Sequence, residues 1–199
     1  MSVVEWLLAL ALQFAPPSQA LQFPGYDESA DAAKARYAAI ATDIVSVVEA
    51  HDPLPGLTRV ESAAFVLAMS VGETALALDA DEGPCFRGRH LGRNYASRCD
   101  GGLAVGVLQV QLRSGRAGHF SDRRKLLTAG LKALRGSLLA CWRLPVDERL
   151  AAYGSGSCDN EGGKAGSRKR FALFGQVLRA HPTPTWLVSV ETPSDAGAR

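Results

Sequence analysis

The sequence predicts a mainly helical domain: a helical bundle around one central buried helix, with a small irregular or β lobe inserted after it. Three observations carry that expectation. Apolar residues recur at three- and four-residue spacing over 29–51, between Ser121 and Pro145, and over 166–180, the period of an amphipathic helix. The stretch from Ala63 to Val71 is apolar around nearly its whole circumference, the pattern of a helix enclosed by others. From Asp79 to Gln111 the texture changes to Gly, Arg, Asn and Cys. The 199 residues fit one domain, and 47% hydrophobic with 21% charged residues can bury a core, which excludes disorder, collagen and solenoid classes.

Taken in order, Trp6 to Ala15 is apolar apart from Gln13 and is followed by Pro16, Pro17 and Ser18-Gln19-Ala20. Two readings fit. One is an export signal cleaved near Ala20, although its first residues carry Glu5 and no Lys or Arg. The other is a short helix whose Leu7, Leu8, Leu10, Ala11 and Phe14 pack on the main body or on a partner. The run is too short for a membrane span. Residues 1–28 thus form an N-terminal segment plus linker, 29–181 the domain proper, and 182–199 an extended tail with Pro182, Pro184 and Pro193.

Asp27 or Ser29 caps the helix over 29–51, whose stripe is Tyr37, Ile40, Ala41, Ile44, Val47 and Val48. Thr58 with Glu61 three residues on is a capping box for the buried helix. Leu103 to Val110, interrupted by Gly106, reads as part of a small sheet. Leu127, Leu131, Leu134, Leu138 and Trp142 define the next helix; a short one spans 146–153, and the last, over 166–180, turns Phe171, Phe174, Val177 and Leu178 inward.

Charge is unevenly spread. Residues 1–82 hold twelve acids against three bases, a balance of −9, and 83–199 hold nineteen bases against eight acids, a balance of +11. Arg87, Arg89, Arg93, Arg98 and the cluster from Arg113 to Arg143 suit an anionic partner or a merely solvated basic face. Basic residues are not interleaved with aromatics, so nucleic acid is not the expected partner. The four cysteines pair off by position, Cys85 with Cys99 and Cys141 with Cys158, while free thiols remain the alternative. No Cys-x-x-Cys or His-x-x-x-His spacing occurs, and neither a metal nor a cofactor is expected.

Chemistry centres on Glu73, placed where the apolar helix ends in Gly72-Glu73-Thr74-Ala75. A carboxyl at the edge of a dry core loses solvation, which favours the protonated form that a general acid requires. A solvated helix-end glutamate is the alternative. Two further segments give it context: Gly101-Gly102-Leu103-Ala104-Val105-Gly106-Val107-Leu108-Gln109 and Ala151-Ala152-Tyr153-Gly154-Ser155-Gly156. Alone, Gln109 reads as an exposed strand residue, Tyr153 as a core aromatic, and the glycines as turn residues or as places of close backbone approach to a ligand.

Over roughly residues 35–180 the chain resembles the soluble lytic transglycosylases of the lysozyme superfamily. In that family an apolar helix ends in Glu-Ser, a Gly-Leu-Met-Gln-like segment follows, and an Ala-Tyr-Asn-Ala-Gly-like segment closes the site. Thr74 stands for the serine, Leu108 for the methionine and Gly154 for the asparagine. The resemblance implies an α+β lysozyme-like fold and cleavage of the β-1,4 bond between N-acetylmuramic acid and N-acetylglucosamine. It makes Glu73 the acid/base, with Thr74, Gly106, Val107, Leu108, Gln109 and Tyr153 binding substrate. One carboxylate then suffices and yields a 1,6-anhydro sugar; a hydrolytic, goose-lysozyme-like course would need a second, for which Asp100 is the best placed of Asp79, Asp81, Glu82 and Asp100. The implied partner is the peptidoglycan glycan strand, met in the periplasm or outside the cell. Delivery would be by a virion or secretion machine, with the N-terminal helix as an assembly surface, or by an atypical signal. A non-catalytic virion or anionic-polymer-binding protein on the same fold is the alternative of a different class.

Overall fold

The computed structural model describes residues 1–17, 28–82, 104–111 and 122–182. Among these, seven helices surround a single core: α1 (Val3–Phe14), α2 (Ala30–Glu49), α3 (Arg59–Thr74), the single turn α4 (Leu78–Asp81), α5 (Arg123–Ala140), α6 (Ala151–Ser155) and α7 (Glu161–Ala180). Two short strands, β1 (Ala104–Val105) and β2 (Val110–Gln111), pair antiparallel with Val105 opposite Val110. Cys85, Cys99, Asp100, Arg113 and the tail from residue 183 lie outside the described residues, as do Arg87, Arg89, Arg93 and Arg98.

Helix α3 is the centre. Every residue from Ser62 to Ser70 is buried, and α1, α2 and α7 all pack on it. Its two buried hydroxyls do not disturb the apolar surroundings: Ser62 Oγ donates to the Thr58 carbonyl and accepts from Leu54 N–H, and Ser70 Oγ donates to the Val66 carbonyl. The capping box read from Thr58 and Glu61 is present, with Thr58 N–H donating to Glu61 Oε2 at 2.9 Å. Phe65 of α3 meets Phe171 and Phe174 edge-on, with ring centroids 5.3 and 4.9 Å apart, and this aromatic contact sets α7 against α3.

The apolar run at the start of the chain forms α1 and enters the same core. Trp6, Leu7, Leu10 and Ala11 are at most 1% exposed, packed toward α2 and α3, so this face is covered within the chain. Glu5 closes a capping box with Ser2. Gln13, the odd polar residue of the run, accepts a contact of 2.6 Å from His181 Nε2 at the end of α7. No helix among the described residues is long and apolar enough to cross a membrane.

Three expectations need correction. Trp142 is not part of the inward stripe of α5; it is 60% exposed, because the helix ends at Ala140, and the Arg143 guanidinium covers one ring face at 5.1 Å. The segment 146–153 is not one helix. A 3-10 turn at Val146–Glu148 precedes α6. Helix α7 begins at Glu161 rather than near 166, capped by the Asn160 side chain on Gly163 N–H. Glycine at 162, 163 and 166 argues against helix locally, but a Cβ at Gly163 would stand 2.6 Å from the Ala151 carbonyl. Close packing on α6 therefore selects glycine there.

Cys141, the C-cap of α5, is bonded to Cys158 ahead of α7, with Cα atoms 5.4 Å apart. A second tie is electrostatic. Asp81 of α4 is held by Arg123 of α5 at 2.6 and 2.7 Å and by Arg36 of α2 at 3.4 Å, and Arg123 also reaches Asp43 at 3.0 Å. Asp79 and Asp81 are thus buried acids of the core rather than loop acids on the surface.

Leu7→Ala should lower the unfolding free energy by about 2–5 kcal/mol, the range for emptying a fully buried leucine site, when measured by urea denaturation. The double variant Cys141→Ala/Cys158→Ala should lose about 3 kcal/mol, as expected for opening a loop of this length, in the same assay.

Candidate active site

Glu73 occupies the last turn of α3, where the buried helix emerges from its neighbours. The chain then turns sharply without glycine: Ala75 and Leu76 both lie in the left-handed region, at φ 49° and 52°. Such a conformation costs roughly 1–2 kcal/mol per residue. Complete burial of the Leu76 side chain offsets the cost. Among the described residues, the one other non-glycine residue with positive φ is Gln109, at 49°. All three strained residues thus lie in the segments that flank Glu73 in the sequence reading.

The loop between β1 and β2, residues 106–109, docks on the end of α3. Thr74 Oγ1 donates to the Ser70 carbonyl at 3.0 Å and reaches the Val107 carbonyl at 3.4 Å. The Tyr153 hydroxyl, from α6, donates to the Leu108 carbonyl. The three segments singled out in the sequence are therefore joined through two backbone carbonyls of one turn. Val107 and Leu108 themselves are buried side chains. Leu108 fills a notch in α5 so tight that a Cβ on Gly130 would come within 2.3 Å of it. Gly106 has φ 69°, and a Cβ there would stand 2.9 Å from Leu126, so turn geometry and packing on α5 both require glycine. The Gln109 side-chain amide donates to the Gly106 carbonyl at 3.0 Å and closes the turn.

Opposite Glu73 stands a residue that the sequence analysis did not single out, Arg170 of α7. Its Nε donates to Glu73 Oε1 at 2.7 Å, and its Nη2 lies 2.6 Å from the same oxygen. Both contacts fall on Oε1, leaving Oε2 without a hydrogen-bond partner among the described residues. The guanidinium also stacks over the Tyr153 ring at 5.6 Å. Two glycines make room for it: a Cβ would lie 3.3 Å from Arg170 Nη1 at Gly154 and 2.8 Å at Gly166. The Arg170 head thus fills the space beside Gly154 and Gly166. No local sequence signal marks this, since 154 and 170 belong to different helices.

Glu73 is partly accessible, with 18% of its side chain exposed. It lines a groove of about 270 Å³ with Gly72, Gly166, Lys169, Arg170 and Leu173. Among the described residues no second carboxylate lines that groove, and none of their His, Cys, Asp and Glu side chains cluster in a way that could hold a metal ion. Tyr153 is half-buried, and loss of solvation at its hydroxyl together with the nearby Glu73 charge pushes it well above the ordinary phenol range, against the opposing pull of Arg170. No family model, no curated protein and no solved structure matches the chain.

The folded protein holds the Tyr153 proton to higher pH than the unfolded chain does. This hydroxyl's contribution to stability is therefore complete below about pH 10, the ordinary tyrosine value, and is lost as pH rises further. Urea unfolding between about pH 8 and 11 should show stability falling less steeply in Tyr153→Phe than in wild type, with Tyr37, also raised by burial, setting the remaining slope. Equal slopes would place the ionisation elsewhere.

Proposed function

We infer that the protein degrades peptidoglycan, cleaving the β-1,4 bond between N-acetylmuramic acid and N-acetylglucosamine as a lytic transglycosylase on a lysozyme-like fold. The observation that supports this reading is that the end of α3 next to Glu73, at Thr74, and Tyr153 of α6 both bond the turn 106–109; these are the three segments that resemble that family, and they are far apart in sequence. An accidental likeness of three short motifs would not require them to touch.

In this reading Glu73 protonates the departing glycosidic oxygen through Oε2, and the same carboxylate then takes the proton of the muramyl 6-hydroxyl, which closes on the ring carbon to give a 1,6-anhydro product. A hydrolytic course would instead place a second carboxyl group ~5–5.5 or ~6.5–9.5 Å from the first, and Asp100, the residue the sequence offers for it, lies outside the described residues. Thr74 and Tyr153 act by holding the turn between the end of α3 and α6. The burial of α1 favours the packed helix over the cleaved export signal in this reading, because cleavage near Ala20 would remove Trp6, Leu7 and Leu10 from the core.

The Glu73–Arg170 pair favours a second reading, in which the fold binds an anionic polymer without cutting it. The Arg170 guanidinium occupies Glu73 Oε1, and Lys169 and Arg170 line the same groove. Zymography separates the two. Clearing of peptidoglycan by the wild type should fall roughly 100- to 10,000-fold in Glu73→Gln, the range for removing a general acid/base, and muropeptide analysis should give 1,6-anhydro termini. Undiminished clearing by Glu73→Gln would overturn the assignment of the acid. Retention of glycan strands with no clearing by the wild type would establish the binding protein, and reducing muramic acid ends would establish a hydrolase.

A further inference from the structure

We propose that the protein binds a short aliphatic or aryl carboxylate in a second cavity, which shares no lining residue with the groove at Glu73. The site is independent of the functional reading above. Its volume is about 170 Å³, and its walls include Phe65 of α3 and Phe171 of α7, whose rings meet edge-on. Leu57 and Leu138 add aliphatic surface, and Val146, 59% exposed, brings the wall out to solvent. An apolar cavity of ~150 Å³ takes up a benzene ring, so this space suits a body of about six carbons. Gly56 explains why the space stays open. It has φ 81°, in the left-handed region that favours glycine, and a Cβ there would meet no atom within 4 Å. The chain thus turns beside the cavity with no side chain to fill it, and the Leu57 N–H donating to the Leu54 carbonyl at 3.0 Å closes that turn.

Arg149 supplies the charge. It lines the same cavity and is half-buried, and its Nε donates to the Leu144 carbonyl at 3.0 Å, which anchors the head. Its two Nη groups have no hydrogen-bond or ion-pair partner among the described residues. The acids beside it in sequence do not serve them: Glu148 is held by Arg168 of α7 at 2.5 Å, and Asp147 is exposed and does not line the cavity. A guanidinium partly withdrawn from water beside aromatic and aliphatic walls is stabilised by an anion, and its planar fork matches a carboxylate. The ligand therefore has two parts, an apolar body against Phe65 and Phe171 and a carboxylate on the Arg149 Nη groups. An inorganic anion lacks the first part and an alcohol lacks the second.

Titration of the full chain with heptanoate, hexanol and acetate, followed by NMR of the methyl groups and of the Arg149 Nε–H, tests this. Heptanoate and hexanol carry the same apolar chain, and acetate carries the charge without it. Heptanoate at millimolar concentration should shift the Leu57, Leu138 and Val146 methyl signals and the Arg149 Nε–H together and saturably. Hexanol should bind about tenfold more weakly, the factor for losing one charge-assisted hydrogen bond, and acetate should leave the methyl signals in place. In Arg149→Gln, heptanoate affinity should fall to that of hexanol, whose own affinity stays unchanged. Because Arg149 also anchors Leu144, a second variant leaves that contact alone: Val146→Asp, at an exposed position, should weaken heptanoate more than hexanol. Equal affinity for heptanoate and hexanol in the wild type, shifts confined to Lys169 and Arg170 in the other groove, or no saturable shift of the cavity methyls would overturn the proposal. So would full heptanoate affinity in both variants. Glu73→Gln should bind heptanoate as the wild type does, so a failed catalytic reading leaves this result standing.

Discussion

Enclosure of helix α3 is the constraint on which the rest of this protein depends. A helix apolar on every side cannot face water, and α1, α2 and α7 together cover it from Ser62 to Ser70. The consequence at its far end is functional: the first ionisable side chain after the apolar run is Glu73, which leaves the core where the ring of helices closes. A carboxylate in that place must find water, a cation or a proton, and here it finds Arg170 on the helix that Phe65 clamps against α3.

The turn 106–109 shows how a site can be built from backbone rather than side chains. Val107 and Leu108 point into the core, and what they offer Thr74 and Tyr153 is their carbonyl oxygens. Ala75, Leu76 and Gln109 adopt strained conformations that an unconstrained chain would leave, and the buried Leu76 side chain and the closed Gln109 amide keep them there. Away from the groove, the Asp81, Arg123, Arg36 and Asp43 cluster ties α4 to α2 and α5. Each acid there is met by a guanidinium, which is the condition for retaining such charges at low exposure. The sequence shows these residues only as members of an acidic half and a basic half; their complementarity is a property of the packed helices.

Local order alone determined much of this chain. The 3.6-residue stripes of α2 and α5, the capping box at Thr58 and Glu61, and the all-apolar α3 are readable because each depends on neighbours within four residues. The position of Glu73 at a helix end follows from the same short-range pattern, whereas the sequence left Cys141 and Cys158 open between a bridge and free thiols and the fold joins them across 17 residues. Tertiary structure decided the rest. It started α7 at Glu161 despite three glycines, because α6 packs too close for a side chain at 163. It left Trp142 outside the core and drew α1 into it. Above all it set Arg170 against Glu73, 97 residues away, in space that Gly154 and Gly166 leave open. A pair of that kind is a fact about two helix faces, and no window of sequence contains both.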